Sequence, residues 1–263
     1  MQTEKCERLI KRMDIQANLT WEREEKLIRS YVDDPNAPLK ILEIGSGPGT
    51  ITRRLCKVFP NAKFTCMEID EDFVKYSSDV LPAELEDRVE IVQGDITDIE
   101  LEEGSYDLVY ARLVLQHVHG VDLALANAYR ALKKGGKILI TDVDEGLFGI
   151  IDPPIPELSY ALGQHIQEQV IEGGDRFIGR KFWRMLKAAD FGKVNFELLP
   201  VNSDEVGIEA FIPQLDYEEM STMIENDLLV EEDIERVKQA ADKFLESDYP
   251  FALLVLFFVV GTK

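Results

Sequence analysis

Apolar positions along the 263-residue chain follow two periods. Across residues 3–32, Leu9, Ile10, Met13, Leu19, Trp21, Leu27, Ile28 and Tyr31 recur at helical spacing among charges, which predicts one or two amphipathic helices. After a turn-rich connection, Asp33 to Pro38, short apolar runs alternate with helical segments. The pattern predicts strands over 39–44, 62–67, 88–93, 105–110 and 137–141, and helices over 51–59, 71–81 and 121–133, the last stopped by Lys134-Gly-Gly136. Strands joined by crossover helices build one parallel, doubly wound α/β sheet. A helix over 179–189 leads to a sixth strand, 193–201. The apolar run Phe251 to Val260 is about half the length of a membrane span and predicts a central strand buried on both faces.

Two stretches break this order. Residues 145–179 are too long for a plain connection and carry a helical run, Leu158 to Ile171. Residues 204–248 are helical by pattern, with Met220, Met223, Ile224 and Leu228 followed by Ile234, Val237, Ala240 and Phe244. Both are expected to be helical insertions forming a lid on one domain, 1–263, with N-terminal helices over 3–32. Repeats and low-complexity tracts are absent.

Candidate chemistry centres on Leu39 to Thr50, a strand followed by Gly45, Gly47 and Gly49 and then a helix. Glycine reaches positive φ cheaply, and the free N–H groups of the following helix favour electron-rich ligand groups, so a nucleotide-like ligand is expected; a ligand-free glycine turn is the competing reading. The glycines alternate, whereas the dinucleotide fingerprint sets its third glycine three residues after its second. With Glu43 two residues ahead, the stretch resembles the Glu/Asp-x-Gly-x-Gly-x-Gly motif of class I S-adenosylmethionine-dependent methyltransferases. Further matches are Glu68-Ile69 after the second strand, Gly94-Asp95-Ile96 after the third, Tyr106-Asp-Leu-Val109 with Leu115-Gln-His117 around the fourth, and Lys133-Lys-Gly-Gly136 before the fifth. These resemble small-molecule methyltransferases, including the ubiquinone and menaquinone biosynthesis type.

The resemblance implies an α/β Rossmann-like sheet of seven strands in the order 3-2-1-4-5-7-6, with strand seven antiparallel, and S-adenosyl-L-methionine as cofactor. It implies cofactor contacts from Glu43, Gly45, Ser46, Gly47, Gly49, Ala111, Arg112 and Gln116, ribose binding by Glu68, adenine contacts from Asp95 and Ile96, and a contact from Ile69. A carboxylate about twenty residues past the glycine loop is also where nucleotide-binding α/β folds hold ribose hydroxyls. Asp70 is a weaker ribose candidate and is better explained as the cap of the next helix. The implied activity is methyl transfer to an oxygen, nitrogen or carbon nucleophile of a small-molecule acceptor. An NAD(P)-dependent reductase, or a non-catalytic cofactor-binding protein of the same fold, are the alternatives.

An activated methyl needs mainly alignment and exclusion of water, so catalytic residues leave a weak signature. Candidate bases are His117, His165 and Asp142, followed by Asp144, Glu172 and Asp175. His117 and His119 lack companions at metal-site spacing, so no metal is expected. Asp152-Pro-Pro-Ile155 resembles the Asp-Pro-Pro-Tyr motif of amino-methylating enzymes, but it lies after the fifth strand and lacks the aromatic residue.

The net charge of −21 opposes a phosphate backbone, so nucleic acid is not an expected partner. Cys6, Cys56 and Cys66 form no disulfide framework, and the charged N-terminus lacks an apolar leader. A cytoplasmic protein with no membrane partner is expected, and a homodimer is left open.

Overall fold

The computed structural model describes the chain apart from Met1, Phe148, residues 213–219, 221 and 222; the side chains of residues 2–9 also lie outside the description. The N-terminal pattern forms one continuous helix, α1 (Gln2–Tyr31), with no Gly or Pro to interrupt it. Its solvent side carries i,i+4 pairs, Glu22 with Lys26 and Glu25 with Arg29.

The alternating segments become β1 (Lys40–Ile44), α2 (Thr50–Val58), β2 (Lys63–Glu68), α3 (Glu71–Asp79), β3 (Val89–Gln93), β4 (Tyr106–Arg112), α4 (Val121–Ala131) and β5 (Leu132–Val143). These five strands are parallel, in the order β3-β2-β1-β4-β5. The fifth strand starts earlier than expected. Lys134-Gly-Gly136 lies within β5, where Gly135 takes φ +80° and the register with β4 shifts between Tyr106 and Leu108. The glycines thus make an irregularity inside a strand that still pairs on both sides of it.

The remaining elements are β6 (Ile150–Asp152), α5 (Pro156–Ile171), α6 (Phe182–Ala188), β7 (Lys193–Asn202), α7 (Ser203–Val206), α8 (Glu231–Leu245) and β8 (Phe251–Thr262). The helix expected over 179–189 is a 3-10 turn, Gly179–Lys181, followed by α6. Strand β8 runs antiparallel to both β5 and β7, and its residues 256–262 are paired to the two at once. The seven long strands therefore follow β3-β2-β1-β4-β5-β8-β7, the order that the resemblance implied. The three-residue β6 was not apparent in the sequence; it pairs with β8 beyond the end of β5.

Side-chain alternation sets the layers. Leu42, Ile44, Val109, Ile138, Ile140, Phe257 and Val259 pack on one face with α4 and α6. Ile41, Phe64, Leu108, Leu139, Leu256, Phe258 and Val260 pack on the other with Ile28 of α1 and Leu55 and Val58 of α2. Strand β8 feeds both layers, which is why its sequence is an unbroken apolar run. A third, smaller core joins α5 and α8 through Leu158, Ala161, Ile234, Val237 and Phe244, together with Met220 and Met223. Within 204–248 the helical pattern is realised as α7, a turn at Ile208–Ala210, and α8; part of the intervening run lies outside the described residues. No described helix is long and apolar enough to cross a membrane.

Candidate active site

The carboxyl ends of β1, β2 and β4 open onto a cavity of about 410 Å3. Its floor is the glycine loop from Gly45 to Pro48; Gly45, Gly47 and Gly49 all take positive φ, at 65°, 53° and 78°, but Gly49 is turned toward Arg53 and Ser77 and does not line the cavity. A Cβ at Gly45 would overlap the Val114 side chain, whereas one at Gly47 would meet nothing within 4 Å, so the loop backbone is bare toward the cavity there. Ser46 N–H donates to the Met67 carbonyl at 3.0 Å, and Gly47 N–H donates to Glu68 Oε2 at 2.7 Å. Helix α2 starts at Thr50 without a side-chain cap, and Thr50 and Ile51 stand on the cavity wall. Its first N–H groups therefore stay available to a ligand.

Glu68 is a double brace: Oε1 accepts the N–H groups of Ile69 (2.8 Å) and Asp70 (3.0 Å), and Oε2 accepts Gly47. A carboxylate offers about four acceptor positions, so three bonds leave one for a hydroxyl. Ile69 lines the cavity and is 63% exposed. Asp70 caps α3, its Oδ1 accepting from Asp72 and Phe73 N–H.

Other motif residues support the wall from behind. Glu43 is 2% exposed, accepts the Thr52 hydroxyl at 2.6 Å, and is not a lining residue. Burial pushes its carboxyl up to about 7, against the hydrogen bonds from Thr52 and Cys66. Asp95 turns Oδ1 onto the N–H and hydroxyl of Thr97 at 2.8 and 2.7 Å; Ile96 and Ala111 are buried in the core, and none of the three lines the cavity.

Arg112 and Gln116 do line it, through networks that only the folded chain creates. The fully buried Glu24 carboxylate of α1 accepts from the Tyr110 hydroxyl, from the Thr141 hydroxyl at 2.5 Å and from Arg112 Nε at 3.0 Å. Burial, followed by the Glu24 charge, pushes the Tyr110 phenol well above its ordinary value. Asp14, ten residues earlier in α1, accepts the Thr50 hydroxyl at 2.7 Å. With these two latches α1 brings Arg12, Met13 and Gln16 to the cavity; the sequence marked Met13 only as an apolar helix position and none of the three as a site residue. Gln116 accepts from Arg176 Nη1 at 2.8 Å through its side chain, and its carbonyl accepts from Asp175 N–H (2.7 Å) and Gln169 Nε2 (2.8 Å). Arg176, also missed from sequence, is itself paired with Glu145 at 2.7 Å.

The candidate bases separate clearly. His117 and His165 stand on the wall; Asp142, Asp144, Glu172 and Asp175 do not. Asp142 is fully buried and accepts the N–H groups of Val143 (2.9 Å) and Gln116 (3.2 Å), so it holds the 3-10 turn Leu115–His117 in place. Burial pushes its carboxyl up to about 7 despite these bonds. Asp144 pairs with Arg180, Asp175 pairs with Lys181, and Glu172 is exposed. No group of metal ligands occurs among the described residues.

Residues 42–140, from β1 to β5, match a family model described as a methyltransferase domain. This stretch is similar to methyltransferase domains. Over 113 residues the chain is 31% identical to malonyl-[acyl-carrier protein] O-methyltransferase of Priestia megaterium, a match covering 43% of this chain and 40% of that protein. Over 177 residues it is 28% identical to the ubiquinone/menaquinone biosynthesis C-methyltransferase of Bradyrhizobium sp., covering 62% and 70%. Among solved structures, phosphoethanolamine N-methyltransferase 2 of Haemonchus contortus in complex with S-adenosyl-L-methionine shares the fold, with a TM-score of 0.59 at 19% identity over 92% of this chain and 52% of that one. The chain spans 40–45% of the length of relatives matched above 30% identity. The matched residues carry the glycine loop, Glu68 and the turn after β4, while the cavity walls from α1, α5 and Arg176 lie outside them.

Proposed function

We propose that the cavity binds S-adenosyl-L-methionine and that the protein transfers its methyl group to a small-molecule acceptor held beneath a lid built from α5, Met220 and Met223, backed by α8. The observation that carries this reading is the bare glycine loop clasped to Glu68. The Ser46 hydroxyl adds to it, because it is buried at the cavity wall without a hydrogen-bond partner among the described residues. A buried polar atom left in this state suits a ligand with polar groups. Glu68 would take a ribose hydroxyl, Ile69 would pack on the adenine with Asp95 near its amino group, and the backbone of the Gly45–Gly49 loop would lie along the methionine portion.

The bound cofactor would supply an activated methyl; the chain's own residues exclude water, orient the acceptor and move its proton. His117 and His165 suit different parts of that work. Gln169 Nε2 lies 3.3 Å from His117 Nδ1 and donates to the Gln116 carbonyl as well, so Gln169 holds the His117 ring against the cavity wall. His165 has Nδ1 3.5 Å from Glu168 Oε2, and Glu168 Oε1 accepts from Asn226 at 2.8 Å. His165 Nδ1 is buried without a hydrogen-bond partner among the described residues, with the Glu168 carboxylate close by, and the imidazole on the wall is the group placed to take a proton from an acceptor hydroxyl, amine or acidic carbon.

Calorimetry tests the reading. S-adenosyl-L-methionine is expected to bind and NADPH not to bind, and Glu68→Ala and Asp95→Ala are each expected to lower the affinity at least about tenfold, the worth of one charge-assisted hydrogen bond. Unchanged affinity in both variants, or binding of NADPH in place of the sulfonium cofactor, overturns it. Incubation with labelled cofactor and a metabolite extract then identifies the acceptor by its gain of one methyl.

A further inference from the structure

Behind α5, on the side away from the glycine loop, lies a second cavity of about 90 Å3 between α5, α8, β6, β8 and the segment around Phe211. Every described residue lining it is Gly, Ala, Ile, Leu or Phe. In a chain with 30% charged residues this is a marked contrast. Such a hollow gives water no hydrogen-bond partners and is filled favourably by hydrocarbon. Its described lining presents no side-chain donor or acceptor to a sugar, nucleotide or charged head.

Helix α5 separates this chamber from the main cavity. Ala161 and His165 face the main cavity, Leu158 faces the apolar chamber, and Leu162 lines both. The two spaces are therefore adjacent across one side chain, with two histidines and three arginines on the first side and only hydrocarbon on the second. The geometry points to an amphiphilic acceptor: its reacting polar head sits beside His165, and its aliphatic chain passes Leu162 into the chamber walled by Leu158, Phe244, Ala252 and Leu254. Identifying the occupant as a methyl acceptor rests on the function proposed above; the apolar chamber itself does not.

Straight-chain 1-alkanols from hexanol to dodecanol are titrated by calorimetry into the full chain, with and without S-adenosyl-L-methionine. Affinity is expected to rise about fourfold for each methylene buried and to level off once the chamber is full. Ala252→Phe, which fills the chamber, is expected to abolish the length dependence and weaken the longest alcohol at least about tenfold, with cofactor affinity unchanged. Leu162→Ala, which merges the two spaces, is expected to strengthen binding of the longer alcohols, and it keeps the test open if Ala252→Phe fails to fold. A flat length series, or one indifferent to both variants, overturns the inference. So does a wild-type dimer dissociated by Ala252→Phe, which would make the occupant a second copy. Alkanol binding without cofactor binding removes the methyl-transfer reading, and the acceptor assignment with it, while leaving the chamber; cofactor binding with a flat alkanol series removes the chamber inference alone.

Discussion

Glu43 shows how a motif residue can act through the fold. Its carboxyl is raised to about 7 from an ordinary 4.5, chiefly by burial, so the folded protein holds a proton that the unfolded chain releases. Stability from this group is fully present below pH 4.5 and is lost as pH rises to about 7. At about 1.4 kcal/mol per pH unit the loss approaches about 3 kcal/mol. Glu43→Gln is therefore expected to flatten the decline in urea-unfolding free energy across that window; an unaltered slope would place the titration elsewhere. Asp142 has the same character, and it illustrates what the sequence hid. An acid at a strand's carboxyl end has the residue type of a site, but spacing does not say whether the carboxylate turns outward or back onto the N–H groups of Val143 and Gln116. For the residues on the wall the expectation concerns rate. His165→Asn should lower turnover on the identified acceptor by about 10²–10⁴ with cofactor affinity unchanged, and Glu168→Gln should lower it less while shifting the pH profile. Loss of cofactor binding in His165→Asn would assign the imidazole to the cofactor instead.

Among the elements, α1 and α5 together shape the cavity that the matched residues leave open. Its amphipathic pattern was legible; its docking was not, because Glu24 reads as one acid among many until Tyr110, Arg112 and Thr141 are brought around it. Removing one partner of a buried ion pair strands the other, at a cost of about 3–5 kcal/mol. Glu24→Ala is expected to destabilise the protein by that order in urea unfolding and to weaken cofactor binding, since Arg12, Met13 and Gln16 ride on the same helix. A variant as stable as the wild type would mean that α1 contributes little to holding the sheet. The early start of β5 escaped sequence reading for a related reason: a Lys-Gly-Gly run signals a turn locally, but pairing with β4 on either side of an irregularity overrides it.

At the scale of the molecule, the parallel sheet was legible because strands buried on both faces leave continuous apolar runs, and the glycine loop because its backbone demands that residue. The inserted core of α5 and α8 was legible only as helical pattern; which of its faces met the cavity depended on contacts far apart in the chain. The charge of −21 acts at this scale too. Like charges on a compact body repel, and raising salt from about 0.01 to about 0.1 M shortens the screening length from about 30 to about 10 Å. The melting temperature is expected to rise over that range by a few degrees; a fall would mean that attractive pairs such as Arg176 with Glu145 dominate the electrostatics.

Strand β8 follows every other described strand in the chain yet lies between two of them. A ribosome releasing this polypeptide from its amino end would thus expose β5 and β7 as unpaired edges until residues 251–262 emerge, an interval in which chaperone capture or edge-to-edge aggregation competes with closure of the sheet.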